Sequence, residues 1–523
     1  MLKRVFGDRF LGYDNGEQDG RYIGSYADRG SFTDRKGGWA DFVKWDEGIC
    51  NDNMNTMNAT GSLNFSHYYG ERGDRTLGLE TAQGLPSDTL MFAFLRGASK
   101  QYGRLTTKAT SIWSRFGYNM YHDRHTEGGN GYGLGPNKGC SVSLHNRMFF
   151  CSYTGGDSIC GTEAAQFTND TLASGAPELS PLGKGHLDIA NWVKQHPDRG
   201  VMVTPVAFML DFYNGWNMPR HLYRSDKYKI CGKLPYEKGD YLTDAVFRMV
   251  WPGYEDASYL RNERGFLCPT PYGDIFDVLT NRCHPDILKQ YAALMLLGDV
   301  EMTPEVVAKL TAHVQAGGDL ILDAKCAAAF PEAFTGVTMG ATDAKGRLTR
   351  VLSSGKTLVE QPYTYTTLTL QSGKALVVNE KNSPVLTVNA AGKGRVIVCA
   401  ADNWMTDKLT YATPDLVNME PPYTLLNGIK AALDGYFATF SPVTVSPGGL
   451  TVRTCLYEKD PKRMLVGLLN NDLFADWKGA VRIKKGTVAS VKELWRGKTL
   501  AAGSDIPLSI QAGDVAMVEV RLK

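Results

Sequence analysis

Thr76-Leu-Gly-Leu-Glu80 is a short apolar run that ends on a carboxylate. Ser87-Asp-Thr-Leu90 then opens a helical stretch with a capping residue, Met91, Phe92, Phe94 and Leu95 supply its apolar face, and Gly103 stops it. Arg104 leads into a second run, Leu105-Thr-Thr-Lys-Ala-Thr-Ser-Ile-Trp113. Strand, polar tip, helix, strand is one βαβ unit. The same grammar extends outward, through Phe10-Leu-Gly-Tyr-Asp-Asn-Gly-Glu17 on one side and Ser158-Ile-Cys-Gly-Thr-Glu163 and Val201-Met-Val-Thr-Pro-Val-Ala-Phe-Met209 on the other. Five such runs separated by helices spell an α/β fold of the (β/α)8 barrel type, whose chemistry sits at the carboxyl ends of its strands.

Counted back from Val201–Met209, the runs are barrel strands four to eight, and only Met1 to Asp8 precede the first. The barrel is therefore expected to lack roughly three βα units, about 100 residues at ~250 per barrel. A long helix is expected from Gly37 to about Tyr69, with Trp39, Phe42, Val43, Trp45, Ile49, Met54 and Met57 on an uneven apolar face, and further helices over Ser143–Thr154 and Leu187–Gln195. The Gly-, Tyr- and His-rich loop from Ser114 to Cys140 is long enough to read as a functional lid over the barrel mouth. This barrel domain is expected to occupy residues 1–270, including an aromatic insertion from Trp216 to about Phe266.

From Pro271 the texture changes. Tyr272-Gly-Asp-Ile-Phe-Asp-Val-Leu-Thr280, a helix from Pro285, Ala292-Ala-Leu-Met-Leu-Leu-Gly-Asp299, a helix over Pro304–Ala316 and Gly317-Gly-Asp-Leu-Ile-Leu-Asp323 alternate as in a doubly wound, flavodoxin-like α/β domain, expected over 271–440. It carries no Gly-x-Gly-x-x-Gly, no P-loop and no cysteine on a nucleophile turn, so it is read as structural. Residues 441–523 hold short alternating runs, Leu450-Thr-Val-Arg-Thr-Cys-Leu456, Met464-Leu-Val-Gly-Leu-Leu469 and Val515-Ala-Met-Val-Glu-Val-Arg521, that suggest a small β-sandwich.

Hydrophobic residues make up 43% and charged residues 21% of the 523, ordinary for a globular protein, and a net charge of +2 offers no electrostatic case for nucleic acid or an anionic membrane. No apolar run reaches the ~18 residues a membrane helix needs. Met1-Leu-Lys-Arg is followed by Val-Phe-Gly-Asp-Arg rather than an apolar stretch, so no signal peptide is visible: the location is secreted or periplasmic if a region precedes Met1, cytoplasmic otherwise. The ten cysteines form no Cys-x-x-Cys and no zinc spacing; they read as buried free thiols, and no metal or cofactor is expected.

Three of the five strand tips carry a glutamate: Glu17, Glu80 and Glu163. Carboxylates converging on one barrel mouth suggest glycoside hydrolysis, with one as proton donor and another as nucleophile. In Tyr13-Asp-Asn-Gly-Glu17, Glu17 is read as the general acid/base and Asn15 as the anchor of a sugar hydroxyl, although the same string is good turn chemistry. Glu163 follows the small residues Cys160-Gly-Thr162, which leave room for a nucleophile; a carboxylate favoured by a helix N-terminus is the plainer role. Glu80, beside Thr81 and Gln83, binds sugar hydroxyls, tunes a neighbour or replaces one of that pair. Trp113 offers a stacking face, His122 and His125 polar contacts in the lid, and Asp211 a weaker contact after the last run.

On these residues the chain resembles a clan A glycoside hydrolase, organised like the family 42 β-galactosidases: catalytic barrel, flavodoxin-like trimerisation domain, small C-terminal β domain. The resemblance implies an acid/base after an Asn at the end of strand four, here Glu17 after Asn15 with Gly16 between them, and a nucleophile ending strand seven, here Glu163. It implies retention of anomeric configuration, an oligo- or polysaccharide substrate and a homo-oligomer, trimer or dimer. Against the enzyme stands a different class: an inactive glycan-binding or assembly protein, since a barrel short of three strands has an open sheet edge and half a mouth.

Overall fold

The computed structural model of the protein describes residues 2–10, 12–14, 16, 22, 33–49, 55–59, 64–81, 88–110, 142–162, 179, 181–215, 234–254, 267–407 and 424–523. Its first sheet has five strands, β1 (Tyr13–Asp14), β2 (Asn55–Ala59), β3 (Thr76–Thr81), β4 (Leu105–Thr110) and β5 (Ile159–Thr162), lying in chain order and all parallel. Between them run α1 (Arg35–Ile49), α2 (Phe65–Arg72), α3 (Asp88–Tyr102) and α4 (Val142–Gly155). This is the βα alternation of a barrel wall; among the described residues β1 and β5 are its edges.

Two expectations are corrected here. The long helix expected from Gly37 to Tyr69 is α1, then strand β2, then α2. The interruption has a local cause: Asn51, Asn53, Asn55, Asn58, Thr56 and Thr60 crowd one stretch, and such side chains compete with the helix for backbone hydrogen bonds. The run Val201–Met209, expected as the last barrel strand, is not in this sheet. Val201–Met202 pairs antiparallel with Cys455 and Leu456, and after Pro205, which has no N–H to give a ladder, β6 (Val206–Leu210) enters a second sheet. All five residues of β6 are buried, as an unbroken apolar run must be when both faces of its sheet are covered. The boundary expected at 270 therefore falls inside the elements that build the second sheet.

That sheet has nine strands. Its parallel part sets β7 (Phe276–Thr280), β6, β8 (Ala293–Leu296), β9 (Asp319–Asp323) and β10 (Gly394–Cys399) side by side, a 2-1-3-4-5 order in chain sequence, which is the doubly wound arrangement. Pro384–Ala391, Lys374–Val378, Ala344–Val351 and Thr357–Tyr365 extend it antiparallel beyond β10. At the other end α3 lies between β3 and the edge strand β7, so close that a Cβ on Gly97 would stand 1.7 Å from the carbonyl oxygen of Val278. The helix thus covers a strand edge that would otherwise be open.

The C-terminal strands form a three-stranded sheet (Val443–Ser446, Trp477–Ile483, Asp505–Ile510) and a six-stranded one that includes Leu450–Tyr457 and Val515–Leu522. Val443, Val481 and Ile506 of the first and Val452, Val466 and Val518 of the second share one apolar cluster.

A buried ionic network joins the three parts. Arg96 of α3 donates to Asp277 (2.9 Å) and Asp274 (3.2 Å), Arg453 of the C-terminal sheet pairs with Asp274 (2.9 Å), and Lys100 pairs with Asp277 (2.7 Å). Burial works against the Asp277 carboxylate, but Lys100 and Arg96 outweigh it and hold its pKa below the usual value.

Candidate active site

The carboxyl ends of β1 to β5 lie along one edge of the first sheet, which is where a parallel α/β arrangement presents chemistry. On β3, Leu79 shares a row with Lys108 of β4 and Cys160 of β5. This row faces the helices: Leu79 belongs to the main core with Leu90 and Phe94 of α3, and Lys108, fully buried, pairs with Asp88 at the start of α3 (3.3 Å). Burial pushes the Cys160 thiol up to about 12, so it is inert, and burial, then His186 and Lys108, hold His145 of α4 down at about 3, a neutral imidazole.

Successive residues alternate faces, so Glu80 lies on the opposite face of the sheet. It shares its row with Ala109 and Gly161. Both neighbours are small, and a Cβ added to Gly161 would meet nothing within 4 Å. Glu80 itself is only 5% exposed. A buried carboxylate thus stands near the end of the middle strand, beside small residues along its own row.

At the tip of β1, Asp14 accepts a hydrogen bond from the Gly16 N–H (2.9 Å), and Gly16 has φ +62°. The turn chemistry read in Asp-Asn-Gly is real, and the left-handed position falls to the glycine. Asn15, Glu17, Trp113, His122, His125 and Glu163 lie outside the described residues. Asp211 follows β6 in the second sheet, not the first, which corrects its expected place at the barrel mouth. Its carboxylate accepts from the Tyr213 N–H (2.9 Å), Asn281 Nδ2 (2.7 Å) and the Glu301 N–H (3.0 Å), a clamp on the loops after β6, β7 and β8.

Asp211 lines a small polar cavity with Asn214, Asp240 and Asp299, at the switch point between β6 and β8. Arg35, the first residue of α1, enters this cavity and donates to the Asn214 carbonyl (2.7 Å) and to Asp240 Oδ2 (2.6 Å). The first sheet's α1 is thereby fastened to the second sheet. Among the described residues no group of three His, Cys, Asp or Glu side chains is placed to hold a metal ion, and six of the seven cysteines there are buried.

Lys108 and Arg35 were not legible as site-framing residues; the one available signal for Lys108 was a lysine inside a strand of Thr and Ala.

No protein-family model matches the sequence, and no curated protein matches it. Solved structures do. The fold is similar to that of GH42 β-galactosidases. A catalytic mutant of the enzyme from G. stearothermophilus aligns over 89% of this chain and 64% of its own, with 13% identity and a TM-score of 0.52. The β-galactosidase from Bacillus circulans sp. alkalophilus aligns over 93% and 66%, with 10% identity and a TM-score of 0.52. The α-L-fucosidase isoenzyme 2 from Paenibacillus thiaminolyticus aligns over 88% and 71%, with 12% identity and a TM-score of 0.50. The chain thus spans about two thirds of the length of these solved structures. At these identities the likeness is one of fold.

Proposed function

We propose that the chain is a retaining glycoside hydrolase, β-galactosidase-like in its substrates, working by a two-glutamate double displacement. What supports this is a parallel five-stranded sheet in a fold similar to GH42 β-galactosidases, with Glu80 in its middle strand β3, and a sequence in which Glu17 and Glu163 follow the residues of β1 and β5. Inward-facing residues of alternate strands form one layer in a (β/α) barrel, so such groups face one another across the mouth. By sequence order Glu17 is the acid/base and Glu163 the nucleophile, with Asn15, Glu80, Trp113 and His122 as sugar contacts. The substrate is an oligo- or polysaccharide, and the working form is a homo-oligomer.

One observation favours a second reading, glycan binding or assembly without catalysis: among the described residues β1 and β5 have a neighbour on one side only. A panel of 4-nitrophenyl glycosides, followed by proton NMR of the first sugar released, separates the two. Turnover with retained configuration supports the hydrolase. Inversion overturns the double displacement, and saturable sugar binding without turnover supports the second reading.

A further inference from the structure

The carboxyl edge of the second sheet carries a cavity that glycoside hydrolysis does not use. It measures about 50 Å³ and is lined by Arg35, Asp211, Asn214, Glu237, Asp240 and Asp299. It lies at the switch point between β6 and β8, the crevice in which doubly wound sheets take their ligands. That volume holds a few water-sized groups and nothing larger. Asn214 is 8% exposed, and among the described residues its Oδ1 has no hydrogen-bond partner. Its main-chain carbonyl accepts from Arg35 (2.7 Å) and its Nδ2 donates to Asp240 (3.5 Å), so Oδ1 is the group it brings to the cavity. A buried acceptor of this kind is costly to leave without a partner.

The walls decide what that partner is. Four of the lining side chains are carboxylates, against the one guanidinium of Arg35. That guanidinium is turned to the Asn214 carbonyl and to both oxygens of Asp240. Of the lysines nearby, Lys325 answers Asp299, Lys36 pairs with Glu301 (3.0 Å) and Lys238 with Asp402 (2.7 Å). The N-terminus of the helix Lys238–Val250 would by itself favour an anion, but Glu237 and Asp240 already answer it in a capping box. What the walls offer is therefore oxygen lone pairs. A water set among them could give a proton to Asn214 Oδ1, yet its own lone pairs would face carboxylates. A cation has no lone pairs, and acceptors alone satisfy it.

We infer that this cavity binds a monovalent alkali cation, with Asn214 Oδ1 as its neutral ligand and Asp211, Asp240 and Asp299 as its negative surroundings. A divalent or transition ion does not fit, because no three His, Cys, Asp or Glu side chains among the described residues are placed for one. A monovalent ion takes neutral amide and carbonyl oxygens in place of its water shell. Bound there, it fastens the loops after β6 and β8 to each other and to Arg35, the first residue of α1. It thereby steadies the first sheet against the second. The site stands apart from the strand tips of the first sheet and holds whether or not the chain cleaves glycosides.

The test is thermal melting of the full chain in potassium, sodium and N-methylglucamine chloride at one ionic strength, the last cation being too large for the cavity. Expected is a midpoint about 2 °C higher in potassium or sodium than in N-methylglucamine, saturating with concentration. Asn214→Leu, which keeps the volume and removes the oxygen, is expected to lose that difference. Equal wild-type midpoints in all three salts overturn the inference, as does an alkali-specific rise that survives in Asn214→Leu. Wild-type crystals soaked in thallium(I) acetate give a direct reading even where the variant fails to fold, since thallium(I) takes alkali-ion sites and scatters anomalously. An anomalous peak beside Asn214 Oδ1 supports the site. A water there, with no anomalous signal, overturns it.

Discussion

Asp74 shows how little of a site's electrostatics is written in residue type. It sits fully buried just before β3, and shares one guanidinium, Arg72, with the buried Asp46. Burial pushes its pKa up to about 7; Arg72 pulls it down and Asp46 pushes it up again. The folded chain therefore binds this proton more tightly than the unfolded chain, whose usual value is 3.8. Folding takes up a proton between those two values, so this group's contribution is fully present below pH ~4, falls as pH rises, and levels off above pH ~7. Urea unfolding of wild type and Asp74→Asn across pH 5 to 8 should show wild type losing ground to the variant as pH rises. Parallel curves would mean that Asp74 does not titrate in this window. Glu80 near the end of β3 was legible because it closes an apolar run. Arg35 finds Asn214 and Asp240 far along the chain, Lys108 finds Asp88 at the start of α3, and Asp74 meets Asp46 of α1 through Arg72, and no local pattern announces these meetings.

Among the elements, α3 is the joint between the two α/β sheets. Its boundaries were readable from Ser87-Asp-Thr at one end and Gly103 at the other, since capping and stopping are local chemistry. Its double duty was not, because Gly97 looks like any helical glycine until the Val278 carbonyl is found against it. Gly97→Ala should improve the helix in isolation by about 1 kcal/mol yet destabilise the protein by about 1–3 kcal/mol, through overpacking against a strand that cannot yield. Thermal melting checks the sign: a raised midpoint would show that the helix and β7 can part without cost. Strand β6 teaches the complementary point. A short, wholly apolar run fits a barrel strand and a doubly wound strand equally well, and only pairing decides which sheet claims it. The Asn-rich stretch that became β2 was hidden by apolar residues on either side that keep helical spacing.

At the scale of the whole molecule, the three parts are tied by buried charge. Asp274 lies between Arg96 of α3 and Arg453 of the C-terminal sheet, and Arg453 also donates to the Cys151 carbonyl of α4. Asp274→Asn takes the paired carboxylate from the buried Arg453 guanidinium and leaves Arg96 with Asp277 alone, with an expected cost of about 3–5 kcal/mol. Calorimetry should show one cooperative transition for wild type and one, at lower temperature, for the variant. Two resolved transitions in wild type would mean that the parts melt separately.

The short stretch from Val201 to Leu210 belongs to two sheets at once: Val201–Met202 borders the C-terminal sheet, and after three intervening residues β6 stands inside the nine-stranded one. Read along the ribosome's direction of travel, this imposes a schedule. Val201–Met202 emerges about 250 residues before its partner Cys455, a delay on the order of 10 to 50 seconds at ~5–20 residues per second. During that interval a strand edge stands bare beside a sheet that is already assembling. About 250 further residues must be made before the middle of the chain is closed.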